Sequence, residues 1–165
     1  KPVTQELEKF KATFVGHLEN HYQTVPDSFD RVPGAPEVLS KIMESSSHRV
    51  AIATGGWRPS ALLKLKKAGI SIDNIPAAFA DDHFSRDEIV MTAVNRAKKT
   101  YHCESFRSIT YVGDGRWDFL TCSRLGIPFV GVTHTRGRDY LAKEGVTNIV
   151  DDYSDFDSFF QLIKG

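Results

Sequence analysis

The sequence predicts an α/β fold, a parallel sheet with helices on both faces in a three-layer, Rossmann-like arrangement. Three observations predict it. Apolar runs of strand length alternate with amphipathic segments of helical period along most of the chain. The runs are nearly continuous in apolar character rather than alternating, as in strands covered on both faces. Single helices separate them, which is the connection that parallel neighbours require. At 165 residues the chain is about one domain's worth and long enough to bury a core.

Each element has a local reason. From Val3 to Tyr22 the apolar residues Leu7, Phe10, Phe14, Val15 and Leu18 recur at helical spacing, with Glu6, Glu8, Lys9, Lys11 and Glu19 on the other faces. The turn-rich stretch "TVPDSFDRVPGAPE" ends that helix, and Pro36 suits the first turn of the next, which runs to about Glu44. "HRVAIAT" follows as a strand, "RPSALLKLKKAG" as a helix closed by Gly69, and "IPAAFA" as a short strand. The helix "SRDEIVMTAVNRAKKTY" carries Ser85 and Glu88 in capping-box spacing. Then come the strand "SITYVGD", the helix "WDFLTCSRLG", the strand "PFVGV", a short helix over Arg138 to Glu144, the strand "TNIV" and a closing helix from Asp155. No internal repeat competes with this order.

Composition excludes some functions. The 21 basic side chains are balanced by 21 acidic ones, with no Lys/Arg block, which argues against a nucleic-acid partner. No apolar run approaches the roughly 20 residues needed to span a bilayer, so no membrane partner is expected either. Cys103 and Cys122 are too few for a disulfide framework and lack metal-ligand spacing. Both are expected to be buried small hydrophobes, in a cytoplasmic protein.

In parallel sheets ligands bind beyond the carboxyl ends of the strands. Thr54, Gly55 and Gly56 end the first strand, Arg86 opens the helix after the second, and Asp114 ends the third. Thr54 offers a hydroxyl, and Gly55 and Gly56 offer amides, to an anionic oxygen at a helix N-terminus. A strand-to-helix turn accounts for the glycines equally well. Arg86 stands where a cation opposes the helix dipole, so a partner anion is called for, and Asp87 or Glu88 can also supply it. Asp114 and Asp118 present hard oxygen ligands for Mg²⁺. By themselves they also read as a turn residue and a first-turn acid.

Taken together and in order, these segments resemble the haloacid-dehalogenase-like hydrolases, mostly Mg²⁺-dependent phosphatases. "VAIATGG" looks like the family's second motif, "YVGDGRWDF" like the fourth, and "VPGAPEVLSKI" and "SRLGIPFVGV" match its habits around them. The resemblance covers nearly the whole chain. It implies a small-molecule phosphate monoester phosphatase. Thr54 and Arg86 would hold the phosphoryl group, with the Gly55 and Gly56 amides beside it, and Asp114 and Asp118 the Mg²⁺ cofactor.

The pattern departs from the family in two places. The third motif is usually Lys, and in "DDHFSRDEIV" Arg86 stands in, keeping the charge but presenting a rigid fork of donors. Lys98 and Lys99 lie later in that helix and are expected to face solvent. The first motif, a strand ending in D-x-D that supplies the nucleophile, is absent. The D-x-D of Asp155 and Asp157 reads as a helix N-cap. Asp27 with Asp30, and Asp81 with Asp82, follow no long buried strand. Residues 1–32 therefore resemble the trailing part of a helical cap, and residues 33–165 the α/β core without its first strand. With Lys1 rather than Met at its start, the chain is expected to need a complementing N-terminal segment or second chain, and not to turn over alone.

Two other readings stay open, a phosphatase-like domain that binds a phosphorylated ligand or partner without chemistry, and a generic nucleotide-binding or receiver-like domain. No G-x-G-x-x-G or Walker loop supports the latter. His17 and His21 share a helical face, but H-L-E-N-H is not the zinc-protease arrangement and a solvent-facing pair is expected. His83, Trp57 and Trp117 are expected to be surface or packing residues beside the rim.

Overall fold

Apolar runs flanked by amphipathic helices have one efficient solution, strands side by side with helices laid over both faces. A computed structural model, which describes residues 2–26, 31–134 and 137–164, has this arrangement. In chain order the elements are α1 (Pro2–Thr24), α2 (Ala35–Glu44), β1 (Ile52–Ala53), α3 (Arg58–Lys67), β2 (Ala77–Ala78), α4 (Arg86–Thr100), β3 (Tyr111–Gly113), α5 (Arg116–Leu125), β4 (Phe129–Val132), α6 (Arg138–Ala142), β5 (Ile149–Val150) and α7 (Phe156–Ile163). All pairings are parallel. β1 pairs with β2, and β4 lies between β3 and β5.

The two faces of β4 show the layering. Phe129 packs with Cys122 of α5, Leu141 of α6, Val146 and Ile149. Its neighbour Val130 points the other way, toward Val38 of α2 and Phe159 of α7. Four buried residues in a row follow from cover on both sides. Under β2, Ala78 packs on Ile89 and Ala93 of α4. Among the described residues no helix is long and apolar enough to cross a membrane.

Local signals set most ends. Pro36 sits in the first turn of α2, and α5 closes at Gly126, whose φ of 66° is left-handed. Asp155 caps α7 by accepting from the Ser158 amide at 3.0 Å, as its sequence position predicts. The capping box at α4 does not form: the Ser85 side chain makes no cap bond, and Glu88 lies 3.5 Å from His83 instead. The seven-residue run "HRVAIAT" yields a strand of only Ile52–Ala53. Among the described residues its ladder has one neighbour, β2, itself only Ala77–Ala78, so the ladder is short. Cys122 is buried, but Cys103 is only half-buried. The Asp27 and Asp30 positions lie outside the described residues.

A partly buried polar clamp ties β2 to α4. Arg96 donates to the Ala77 carbonyl at 2.6 Å and to both oxygens of Asp82 at 2.7 and 2.8 Å, while Asp82 also accepts from the Phe79 amide at 2.9 Å. The Arg96 guanidinium, against the opposing effect of burial, holds the Asp82 carboxyl down at about 2. Because the folded value lies below the unfolded value of about 4, the ionised carboxylate stabilises the fold above that pH. Because the pair is partly exposed, solvent screening reduces the contribution to about 1 kcal/mol, and it is lost as pH falls through about 2. Asp82→Asn is expected to lower stability at neutral pH by that order and to flatten the acid limb between pH about 4 and about 2, as urea denaturation across that range will show.

Candidate active site at the strand ends

Within each sheet the strands are parallel, and the loops at the carboxyl ends of β1, β2 and β3 meet where Arg86 reaches both Gly55 and Asp118. After β1, the Thr54 amide donates to the Ala78 carbonyl at 3.0 Å, which holds the turn against β2. The Thr54 hydroxyl oxygen accepts from the Gly56 amide at 3.1 Å, leaving its own proton to donate outward. Trp57 then enters α3, packed edge-on against Phe10 and Phe14 of α1 at centroid separations of 5.7 and 5.9 Å.

Arg86 opens α4 and reaches across to α5, where its Nη1 donates to Asp118 Oδ1 in a short contact. It passes so close to Gly55 that a Cβ there would lie 2.5 Å from Nη2, a space only glycine leaves. The sequence called for an anion opposite this cation, and the structure supplies Asp118. Asp87 is taken by Arg124, at 2.6 and 2.9 Å, and Glu88 faces His83, so neither of the nearby acids fills that role.

Asp118 is the most deeply placed acid of the rim, its side chain 6% exposed. It reaches back to the Gly115 amide at 3.3 Å, as a first-turn acid does, and accepts from the Tyr111 hydroxyl at 3.1 Å. Tyr111 also lies 3.2 Å from the Ala53 carbonyl of β1, so its one proton serves two acceptors on opposite sides of the site. Burial pushes the Asp118 carboxyl up from its ordinary value, opposed by Arg86, the Tyr111 hydroxyl and the Gly115 amide. Burial, together with the Asp118 charge, pushes the Tyr111 phenol up as well.

Asp114, at the end of β3, is exposed. With Asp118 it forms a pair of hard oxygen donors, and Gly113 between them leaves a notch, since a Cβ there would lie 2.9 Å from Asp118 Oδ2. Among the described residues no group of three or more His, Cys, Asp or Glu is placed to hold a metal. Two carboxylates suit Mg²⁺, which is commonly held by one or two acids plus water and phosphate oxygens, and do not suit a closed zinc site.

The structure thus gathers Gly55, Arg86 and Asp118, with Thr54 and Gly56 on one side and Asp114 on the other. Lys98 and Lys99 stand about 18 Å along α4 from Arg86. His17 and His21 are exposed on α1. Two features escape sequence reasoning. Tyr111 is one, although its period-two relation to Gly113 puts both on the face that meets Asp118. The other is Asp81, which accepts from Lys11 of α1 at 2.7 Å and from the Arg58 amide at 2.5 Å, docking α1 beside the Thr54 loop. Burial alone would raise the Asp81 carboxyl, but Lys11 and the Arg58 amide hold it below its ordinary value.

No family model matches the chain, and no curated protein matches it. Among solved structures it is similar to the crystal structure of a hydrolase from Pseudomonas syringae, with a TM-score of 0.62 and 22% identity over 81% of this chain. The match spans 61% of that protein's length. At this identity the likeness is one of fold, and it agrees with the parallel α/β architecture.

Tyr111→Phe removes the only proton shared between Ala53 and Asp118 in this arrangement. The expected loss is about 1 kcal/mol of unfolding free energy, with an unchanged urea m-value.

Proposed function

We propose that this chain carries the phosphate-binding and metal-binding side of a Mg²⁺-dependent phosphohydrolase of the haloacid-dehalogenase-like type, acting on a small phosphate monoester. The observation that carries the reading is the meeting of a hydroxyl-and-amide loop, a guanidinium and two carboxylates at one parallel-strand rim. Such a set has complementary halves, donors for phosphoryl oxygens and acceptors for a cation. The hydrolase fold neighbour supports it.

In this reading the Thr54 hydroxyl and the Gly55 amide hold phosphoryl oxygens at the N-terminus of α3, where the helix dipole favours negative charge, and the Gly56 amide, engaged by Thr54 Oγ1, directs the hydroxyl proton outward. Arg86 supplies the charge-assisted donors. Asp114 and Asp118 hold Mg²⁺, which when bound neutralises phosphate charge and polarises phosphorus for attack. Tyr111 and Gly115 fix the orientation of Asp118. α1, docked through Lys11 and the aromatic contacts of Trp57, is the stem of a cap over the rim.

The nucleophile belongs to a strand between β1 and β3. Among the described residues, β1 pairs with β2 alone and β3 with β4 alone, so each offers an unpaired edge. A side chain, Tyr111, crosses the seam where adjacent strands would stand about 4.8 Å apart and share a ladder. A parallel strand seated there, from a complementing segment or a second chain, would carry a carboxylate to the Asp118 side of the rim, whose oxygen would bond to phosphorus in line as the ester oxygen leaves with the alcohol, water then hydrolysing the acyl phosphate.

Two measurements test this. The purified chain is expected to show no Mg²⁺-dependent hydrolysis of an aryl phosphate, and turnover by the verified 165-residue chain would refute the assignment of the nucleophile elsewhere. Calorimetry with inorganic phosphate is expected to show binding that Thr54→Val weakens about tenfold, the loss of one hydrogen bond to a charged oxygen.

A further inference from the structure

Arg86 and Asp118 are each held by the other, although each has a ligand of opposite charge to serve. Arg86 Nη1 is on Asp118 Oδ1, and Nη2 fills the space beside Gly55, so the guanidinium is wedged between the anion-binding loop and the acid-bearing helix. Asp118 Oδ1 accepts from Tyr111 as well, and Oδ2 from the Gly115 amide. Only 6% of the Asp118 side chain is exposed, against 28% of Arg86. The difference is informative: an anion from solvent can reach Arg86, whereas a carboxylate as buried as Asp118 cannot be left without a cation at little cost. Any event that draws Arg86 away therefore creates a demand for another cation at Asp118.

We propose that the Arg86–Asp118 pair is an internal lock that couples the two halves of the site, so that an oxyanion and a divalent cation bind cooperatively. This rests on the reading above, in which the Gly55 loop takes phosphoryl oxygens and Asp114 with Asp118 takes Mg²⁺. An oxyanion that turns Arg86 toward Gly55 unmasks Asp118. A cation taken by Asp118 in turn releases Arg86 for the oxyanion. Linkage makes the two effects equal in size, and couplings of this kind run from about fivefold upward. Each ligand alone is bound weakly, because it must first break the pair. The site is primed only for a phosphate that arrives with its cation.

The test is calorimetric titration of inorganic phosphate into the full chain and into Asp118→Asn, Arg86→Ala and the double variant, with folding checked by circular dichroism. Asp118→Asn frees Arg86 and is expected to tighten phosphate binding by about fivefold or more, a gain absent when Arg86 is alanine. A gain that persists in the Arg86→Ala background comes from the lost negative charge alone and overturns the lock. Phosphate binding that Asp118→Asn leaves unchanged overturns the lock while the phosphate site stands. No saturable binding to any of the four proteins overturns both. Should Asp118→Asn not fold, Mg²⁺ added to the unmodified chain takes its place. Phosphate affinity is then expected to rise in the wild type and not in Arg86→Ala, and an equal rise or none overturns the coupling.

Discussion

A carboxylate buried as deeply as Asp118 must be surrounded by donors, and meeting that demand organises the centre of this molecule. The donors come from separate elements: the Gly115 amide at the start of α5, the Tyr111 hydroxyl on β3 and the Arg86 guanidinium on α4. Through Tyr111 the network reaches the Ala53 carbonyl of β1. Among the described residues no backbone ladder joins the sheet of β1 and β2 to that of β3, β4 and β5. Helix packing and this polar cluster therefore align the two sheets. Removing the Arg86 cation would leave Asp118 buried without its charged partner, which costs more than the pair itself contributes.

Other charged contacts around the rim differ in weight. The Arg124–Asp87 pair is largely exposed, and solvent screening leaves it little to contribute. The Arg96–Asp82 clamp also secures backbone groups of β2 and the following loop, so it stabilises the turn that leads into Arg86. Lys11 is nearly buried, its side chain 11% exposed, and its bond to Asp81 fixes α1 against the start of α3. The charges that matter are those that also satisfy backbone donors or acceptors, since they set the positions of the loops and not only their charge.

The helices were legible because their signals are local. Spacing of apolar residues marked α1, Pro36 marked the start of α2, and Asp155 marked the cap of α7. Strand extent was not legible for β1, since it depends on the partners available and not on the seven apolar-rich residues of the run. The Ser85 and Glu88 spacing forms no box: Ser85 makes no side-chain cap bond, and Glu88 stands 3.5 Å from His83 on the loop just before the helix. At the site, Thr54, Arg86, Asp114 and Asp118 could be picked out by their places at strand ends. That Arg86 would face Asp118 could not, because thirty-two positions separate them and only the packing of α4 on α5 brings them together. Tyr111 looked like one more apolar strand residue until Gly113, on the same face, proved to make room for its ring beside Asp118.

A seam closed by side chains has different mechanics from one closed by a ladder. Each neutral hydrogen bond across it contributes about 1 kcal/mol net, and the Tyr111 hydroxyl supplies one proton for two acceptors. The ion pair beside it is stronger, but its cation is partly open to solvent and so open to competition from an anion. Opening the seam exchanges these polar contacts and loosens the packing of α4 on α5 that shares the alignment. Local openings of low free energy are where proteins place binding events. In this chain the polar contacts of the seam lie at the rim where hydroxyl, guanidinium and carboxylates meet. The groups that close the seam are also the groups that a phosphate and its cation would engage.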